Sequence, residues 1–172
     1  MHQDELGKHA GKEDIARRLG KAEDLSPLLE LHTANLYDIL SEEQRKDGFI
    51  KVKYSESDFL AIISHQEIVV ASQGNKLIGY YMVACESRSK FLNYQKEKAE
   101  EIAVSEPTIE GLANIGYGVQ ICIALGFRNN GLFKALLAHL CKSVKTKYNV
   151  LLCSVSDTNT NSLDKHILGV GN

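Results

Sequence analysis

The chain has 172 residues, enough for one core, since a second would need about 50–100 more. At 44% hydrophobic and 24% charged residues, its composition excludes disordered, collagen-like and coiled-coil classes. Twenty Lys and Arg against 22 Asp and Glu leave a net charge of -2, so there is no broad attraction to nucleic acid or to an anionic membrane.

Residues 1–14 show no periodicity and read as a flexible tail, leaving 15–172 as a single domain. The tail is polar where a secretory signal would be apolar, and no run approaches the ~18 apolar residues of a membrane span, so a cytoplasmic protein is expected. Residues 15–19 are a short apolar strand. Asp24 is a suitable N-cap for a helical stripe of Leu25, Leu28, Leu29, Leu31, Leu36, Ile39 and Leu40, with Pro27 in the first turn where its missing N–H costs nothing. Ser41 with Gln44, and Ser55 with Asp58, have capping-box spacing and start two shorter helices. The period then changes. Residues 67–72 and 77–85 are rich in β-branched and aromatic residues around the turn cluster 73–76, an antiparallel hairpin.

Residues 86–114 are the least determined region, a surface excursion with a charged, helix-prone middle at 90–104. A strand at 118–124 follows, then a loop at 126–131 and a helix with the stripe Leu132, Phe133, Leu136, Leu137, Leu140 and Val144. A strand at 150–155, a polar loop at 157–161 and a short helix at 162–168 complete a mixed α+β order. The cysteines Cys85, Cys122, Cys141 and Cys153 lie too far apart for a zinc knuckle or a redox pair, so no metal is expected.

The segment from Ile121 to Leu137 carries the chemistry: a buried strand turns through a polar, Gly-containing loop into a helix. The unpaired N–H groups of a helix start and its partial positive charge bind anions, and Arg128 and Lys134 add full charge. A phosphate suits such a junction; a junction that binds nothing, with both cations merely solvated, is the other reading. There is no Gly-x-x-x-x-Gly-Lys-Ser/Thr and no Gly-x-Gly-x-x-Gly, which excludes a P-loop hydrolase and leaves a dinucleotide fold unsupported.

The run Arg128-Asn129-Asn130-Gly131-Leu132-Phe133 resembles the Gln/Arg-x-x-Gly-x-Gly/Ala signature of the GNAT superfamily of acyl-CoA-dependent N-acyltransferases, with Phe133 where a small residue is usual. Asn159-Thr-Asn-Ser162-Leu-Asp-Lys-His166 is similar to the family's Asn-x-x-Ser/Ala-x-x-x-Tyr/His pattern, and the resemblance spans residues 15–169. It implies a mostly antiparallel central sheet with helices on both faces. The family supplies two further strands beyond this point, so the resemblance also implies either a longer natural chain, a partner chain that completes the sheet, or an open edge at 150–155 that invites a homodimer.

The resemblance further implies acetyl-CoA as co-substrate and direct transfer of its acetyl group to an amine of a small molecule or a protein. Backbone groups at Ile121, Cys122 and Ile123 would pair with the pantetheine arm. Arg128 to Lys134, with Asn129, Asn130, Gly131, Leu132 and Phe133 between them, would cradle the pyrophosphate, and Asn159 and Ser162 would position the cofactor. Acyl transfer needs a neutral amine and a proton for the leaving thiolate. His166 is the candidate acid, and Glu86 and Tyr117 stand on the base side, where a water-mediated base is also open. Gln120 and Cys122 project from the opposite face of the strand to Ile121 and Ile123, and neither is a good base at neutral pH. The reading from a different class is a catalytically degenerate CoA-binding or subunit-interaction module.

Overall fold

The computed structural model describes residues 14–85, 90–105 and 114–169. Glu86 and nearly all of the expected N-terminal tail lie outside the described residues. The elements in chain order are β1 (Ile15–Leu19), α1 (Leu25–Ala34), α2 (Glu42–Arg45), α3 (Glu56–Ser64), β2 (Ile68–Gln73), β3 (Lys76–Met82), α4 (Asn93–Ser105), β4 (Ile115–Gly116), β5 (Gln120–Ile123), α5 (Leu132–Val144), β6 (Val150–Leu151) and α6 (Thr160–Gly169). Strands β1, β2, β3 and β5 form an antiparallel sheet in that order, while β4 and β6 pair in parallel beside it.

Alternation along the strands sorts the side chains into two cores. Val70, Tyr80, Met82 and Cys122 meet Leu28 of α1 and Phe59 and Ile62 of α3 on one face. Val69, Ala71 and Tyr81 meet Leu132, Leu136 and Leu140 of α5 on the other, together with the rest of the α5 stripe. Both capping boxes form: Ser41 and Gln44 exchange bonds of 2.9 and 3.3 Å, and Ser55 and Asp58 exchange bonds of 2.8 and 3.2 Å. Among the described residues, no helix is long and apolar enough to cross a membrane.

Sequence expectations change at several points. Asp24 does not cap α1 with its side chain, because the carboxylate is held by Arg18 at 2.7 and 2.8 Å and by the Lys21 N–H at 2.8 Å. The first helix ends at Ala34 rather than running to Leu40, since the Asn35 carbonyl accepts the Ile50 N–H and the Tyr37 N–H goes to the Ile50 carbonyl. Leu36 and Leu40 still reach the interior from this irregular stretch, whereas Ile39 is 62% exposed. The excursion before β4 is anchored: Leu92 and Gln95 are buried against the chain at Gly118.

Gly118 separates β4 from the strand expected at 118–124, which forms as β5 over Gln120–Ile123. Its φ of +70° is in the left-handed region, and its N–H is captured by Gln95 Oε1 at 2.7 Å. Upstream of the bend the chain pairs with β6, and downstream with β3. The strand expected at 150–155 narrows to Val150–Leu151, with one further bond from the Leu152 N–H to the Gly116 carbonyl at 2.7 Å.

A Cβ at Gly118 would lie 2.9 Å from the Ala84 Cβ and 3.2 Å from both Leu92 methyls. Gly118→Ala is therefore expected to lose about 2 kcal/mol or more of stability, from crowding and from the unfavourable φ together, as measured by urea denaturation.

Candidate active site

Past the bend, β5 and the chain after β6 diverge and leave a cleft between them. The Ala124 N–H bonds the Ile78 carbonyl, so by alternation Cys122 and Gln120 direct their backbone groups to β3 and Ile121 and Ile123 direct theirs to the cleft. Ile121 keeps a free N–H and C=O on this edge among the described residues, and Ile123 a free N–H. A cavity of about 380 Å³ lies at the bend end, between Phe49–Val52, Gln95, Val119–Ile121, Cys153–Ser156, Asn159 and Ser162. A smaller one, about 70 Å³, continues toward Arg128 and Phe133.

At the far end of β5 a single 3-10 turn, Leu125–Phe127, leads into the loop before α5. Asn129 and Gly131 have φ of 61° and 85°, and space around the Gly131 Cα is open. The N–H groups of Asn130, Gly131 and Lys134 have no partner among the described residues, whereas the Leu132 N–H is taken by Asn130 Oδ1 at 3.3 Å. Left-handed residues beside a thirteen-residue helix aim these donors outward, where the helix field is positive. Lys134 is exposed next to them. Phe133 turns away from this opening and packs on Tyr81, ring centroids 5.9 Å apart, so its bulk forms a wall of the cleft and not a plug over Gly131.

Arg128 is neither the phosphate-facing cation nor the solvated one that its sequence position suggests. Its Nε donates to the Ile123 carbonyl at 2.8 Å, Nη1 to the carbonyls of Asp47 and Gly48 at 2.8 and 3.1 Å, and Nη2 to Asn35 Oδ1 at 2.7 Å. Four of its five N–H groups are spent on pinning the 47–50 loop across the cleft, and burial lowers its pKa from the ordinary guanidinium value. From the other wall Asn159 Nδ2 bonds the Phe49 carbonyl at 3.0 Å and Asn161 Nδ2 the Asp47 carbonyl at 2.8 Å. Asn159 Oδ1 is buried with no partner among the described residues, an acceptor left for a ligand N–H.

The structure brings Ile121, Ile123, Arg128, Phe133, Asn159 and Ser162 to one cleft. Cys122 lines it too, yet its thiol is buried toward the Leu31 carbonyl and burial pushes its pKa up to about 12, so the side chain is inert there. Leu132 serves the core. Tyr117 sits in the bend, its backbone N–H on Cys85 Sγ at 3.1 Å and its ring packed against the α1 and α3 core. His166 lies on α6.

The sequence reading passes over Asn35, Asn161, Gln95 and a buried polar chain. In that chain the Tyr54 N–H donates to His32 Nε2 at 3.1 Å, His32 Nδ1 lies 2.9 Å from Tyr80 Oη, and the Gln120 amide lies 2.8 Å from the same oxygen. The available signal is polar residues inside apolar stripes: His32 within α1, Gln120 beside Ile121.

No protein-family model matches the sequence, and no curated protein matches it. Solved structures do. An acetyltransferase of the GNAT family from Streptococcus pneumoniae superposes with a TM-score of 0.60 at 13% identity, covering 91% of this chain and 83% of that one. Diaminobutyrate acetyltransferase EctA from Paenibacillus lautus, in complex with L-2,4-diaminobutyric acid and coenzyme A, gives 0.57 at 18% identity over 91% and 74%. Ribosomal-protein-alanine N-acetyltransferase from Brucella melitensis gives 0.56 at 14% identity over 90% and 83%. The chain thus has the fold of the GNAT acetyltransferases.

Burial, with a smaller contribution from Lys53, lowers the His32 pKa from 6.5 to about 4. The unfolded chain takes up that proton near pH 6.5 and the folded chain only near 4, so this contribution is complete above 6.5 and lost progressively as pH falls from 6.5 to 4. The loss over that window is up to about 3 kcal/mol. Urea denaturation of wild type and His32→Asn should show the slope in the first and a flatter curve in the second.

Proposed function

We propose that the protein is an N-acetyltransferase that moves an acetyl group from acetyl-CoA directly to an amine of a small molecule or a protein. The observation that carries this reading is the open backbone edge of β5 running straight to the unpaired N–H groups at the start of α5. An extended chain of amides ending in a pyrophosphate fits both halves: the edge pairs with amides as an added strand would, and the helix start receives the anion. The buried, unpartnered Asn159 Oδ1 beside that edge suits an amide N–H.

Acetyl-CoA, when bound, supplies the acetyl group as an activated thioester. Ile121, with its N–H and C=O, and Ile123, with its N–H alone, hold the arm, since the Ile123 carbonyl belongs to Arg128. Asn130, Gly131 and Lys134 hold the pyrophosphate through their backbone, and the contribution of Arg128 is to shape the cleft. Ser162 lines the same wall as Asn159. His166 holds the proton for the departing thiolate, and Glu86 or a water receives the proton of the amine, with Tyr117 on the same side as a hydrogen-bonding group. The degenerate-module reading differs in one measurable outcome, cofactor binding without turnover on any amine.

Gly131→Glu places a carboxylate in the anion cradle and tolerates the open space there, with only the φ of +85° resisting the new side chain. Calorimetric titration with coenzyme A should find binding lost in a variant that still melts cooperatively; unchanged affinity would overturn the cradle. His166→Ala should lower turnover at saturating substrates about 10²-fold with little change in coenzyme A affinity, read from thiol release. Equal turnover would return His166 to a structural role.

A further inference from the structure

The bend end of the cleft carries hydrogen-bond donors whose direction is set by the backbone. Gln95 is buried and accepts the Gly118 N–H with Oε1 at 2.7 Å. A backbone N–H can only donate, so the Gln95 amide cannot be turned over, and its Nε2 has no partner among the described residues.

Gln120 is oriented through the buried chain. The Tyr54 N–H must donate, so His32 Nε2 is the acceptor and the imidazole proton sits on Nδ1, from which it reaches Tyr80 Oη. Tyr80 is fully buried and must then give its own O–H to something. Its remaining hydrogen-bond partner among the described residues is the Gln120 amide, with Nε2 placed 2.8 Å from the phenol oxygen. Left so, two donors, His32 Nδ1–H and Gln120 Nε2–H, would converge on one oxygen and the phenol hydrogen would be stranded in the core, a cost of about 1–3 kcal/mol. Turning the amide over, which leaves the shape of the side chain unchanged, gives Tyr80 an acceptor and sends Nε2 into the cleft. Lys51, whose Nζ lies 3.0 Å from Ser156 Oγ, adds a cation to the same cavity, and no Asp or Glu is among the described residues that line it.

We propose that this end of the cleft holds a carbonyl or carboxylate oxygen of the acceptor, so that the acceptors are amines carrying such an oxygen close to the nitrogen, with Gln95 and Gln120 determining that specificity. The inference rests on the acetyltransferase reading. It disfavours polycationic amines, which would meet Lys51 and find no counter-ion among the described residues of this cavity.

The test uses leucine, leucinamide and isoamylamine, which share one apolar body and differ in the oxygen-bearing group. Binding to the protein is measured by calorimetry, with coenzyme A titrated separately. Wild type is expected to bind leucine and leucinamide about tenfold or more tightly than isoamylamine. In Gln120→Leu that ratio should approach one, and in Gln120→Glu it should invert for leucine, an outcome that loss of packing alone would not produce. Equal binding of all three ligands to wild type, no binding of any, or ratios unchanged in both variants would overturn the inference. If one variant does not fold, the other and the wild-type ratio decide. Coenzyme A binding without amine preference would overturn this inference alone; amine preference without coenzyme A binding would overturn the acetyltransferase reading alone.

Discussion

The site depends on one backbone constraint, the left-handed bend at Gly118. A sheet strand normally satisfies both edges with two neighbours that run alongside it for its whole length. Here the chain reverses its hand at one residue, and the two halves go to different partners, β4 to β6 and β5 to β3. The halves cannot stay in one plane, so an edge of β5 is left without a strand, half-buried along the cleft. At Ile121 the N–H and C=O left over face the cleft.

Around that edge, polar side chains act through the backbone. Among the described residues Arg128 has no carboxylate partner: its acceptors are the carbonyls of Ile123, Asp47 and Gly48 and the amide of Asn35. A planar guanidinium can bridge several fixed carbonyls at once, which a lysine cannot. It therefore ties the last residue of β5 to a loop about eighty positions earlier. Asn159 and Asn161 grip the same loop from the opposite wall. The cleft is shaped by these three side chains more than by close packing, and its two walls are coupled through one short segment.

The elements were largely legible because they are local. The capping boxes at Ser41 and Ser55, the α5 stripe and the turn around Gly74 each depend on residues within a few positions of one another, and each forms as the spacing predicts. The alternation that sets Cys122 on one face and Ile121 and Ile123 on the other is equally local. Misreadings arose where another group competes for the same polar atom. Asp24 has the right chemistry for a cap, but Arg18 offers a charge-assisted pair that a lone N–H cannot match. Leu36 and Leu40 continue the helical period, yet Ile50 takes the backbone bonds that would have continued the helix.

The sequence by itself determined the order of elements apart from the short β4, the strand–loop–helix junction with its glycine, and the two motifs that resemble the GNAT pattern, because periodicity, caps and left-handed positions are properties of neighbouring residues. Tertiary structure decided the use of each polar group. Arg128 reads as a phosphate cation and becomes a strut; Gln120 reads as a strand residue of no chemical interest and becomes the end of a chain that starts at the Tyr54 N–H. A hydrogen-bonding side chain carries a capacity to donate or accept but no address. Only the fold brings the carbonyls of Asp47 and Gly48 to Arg128, and only burial obliges Tyr80 to find an acceptor, because water would otherwise satisfy both.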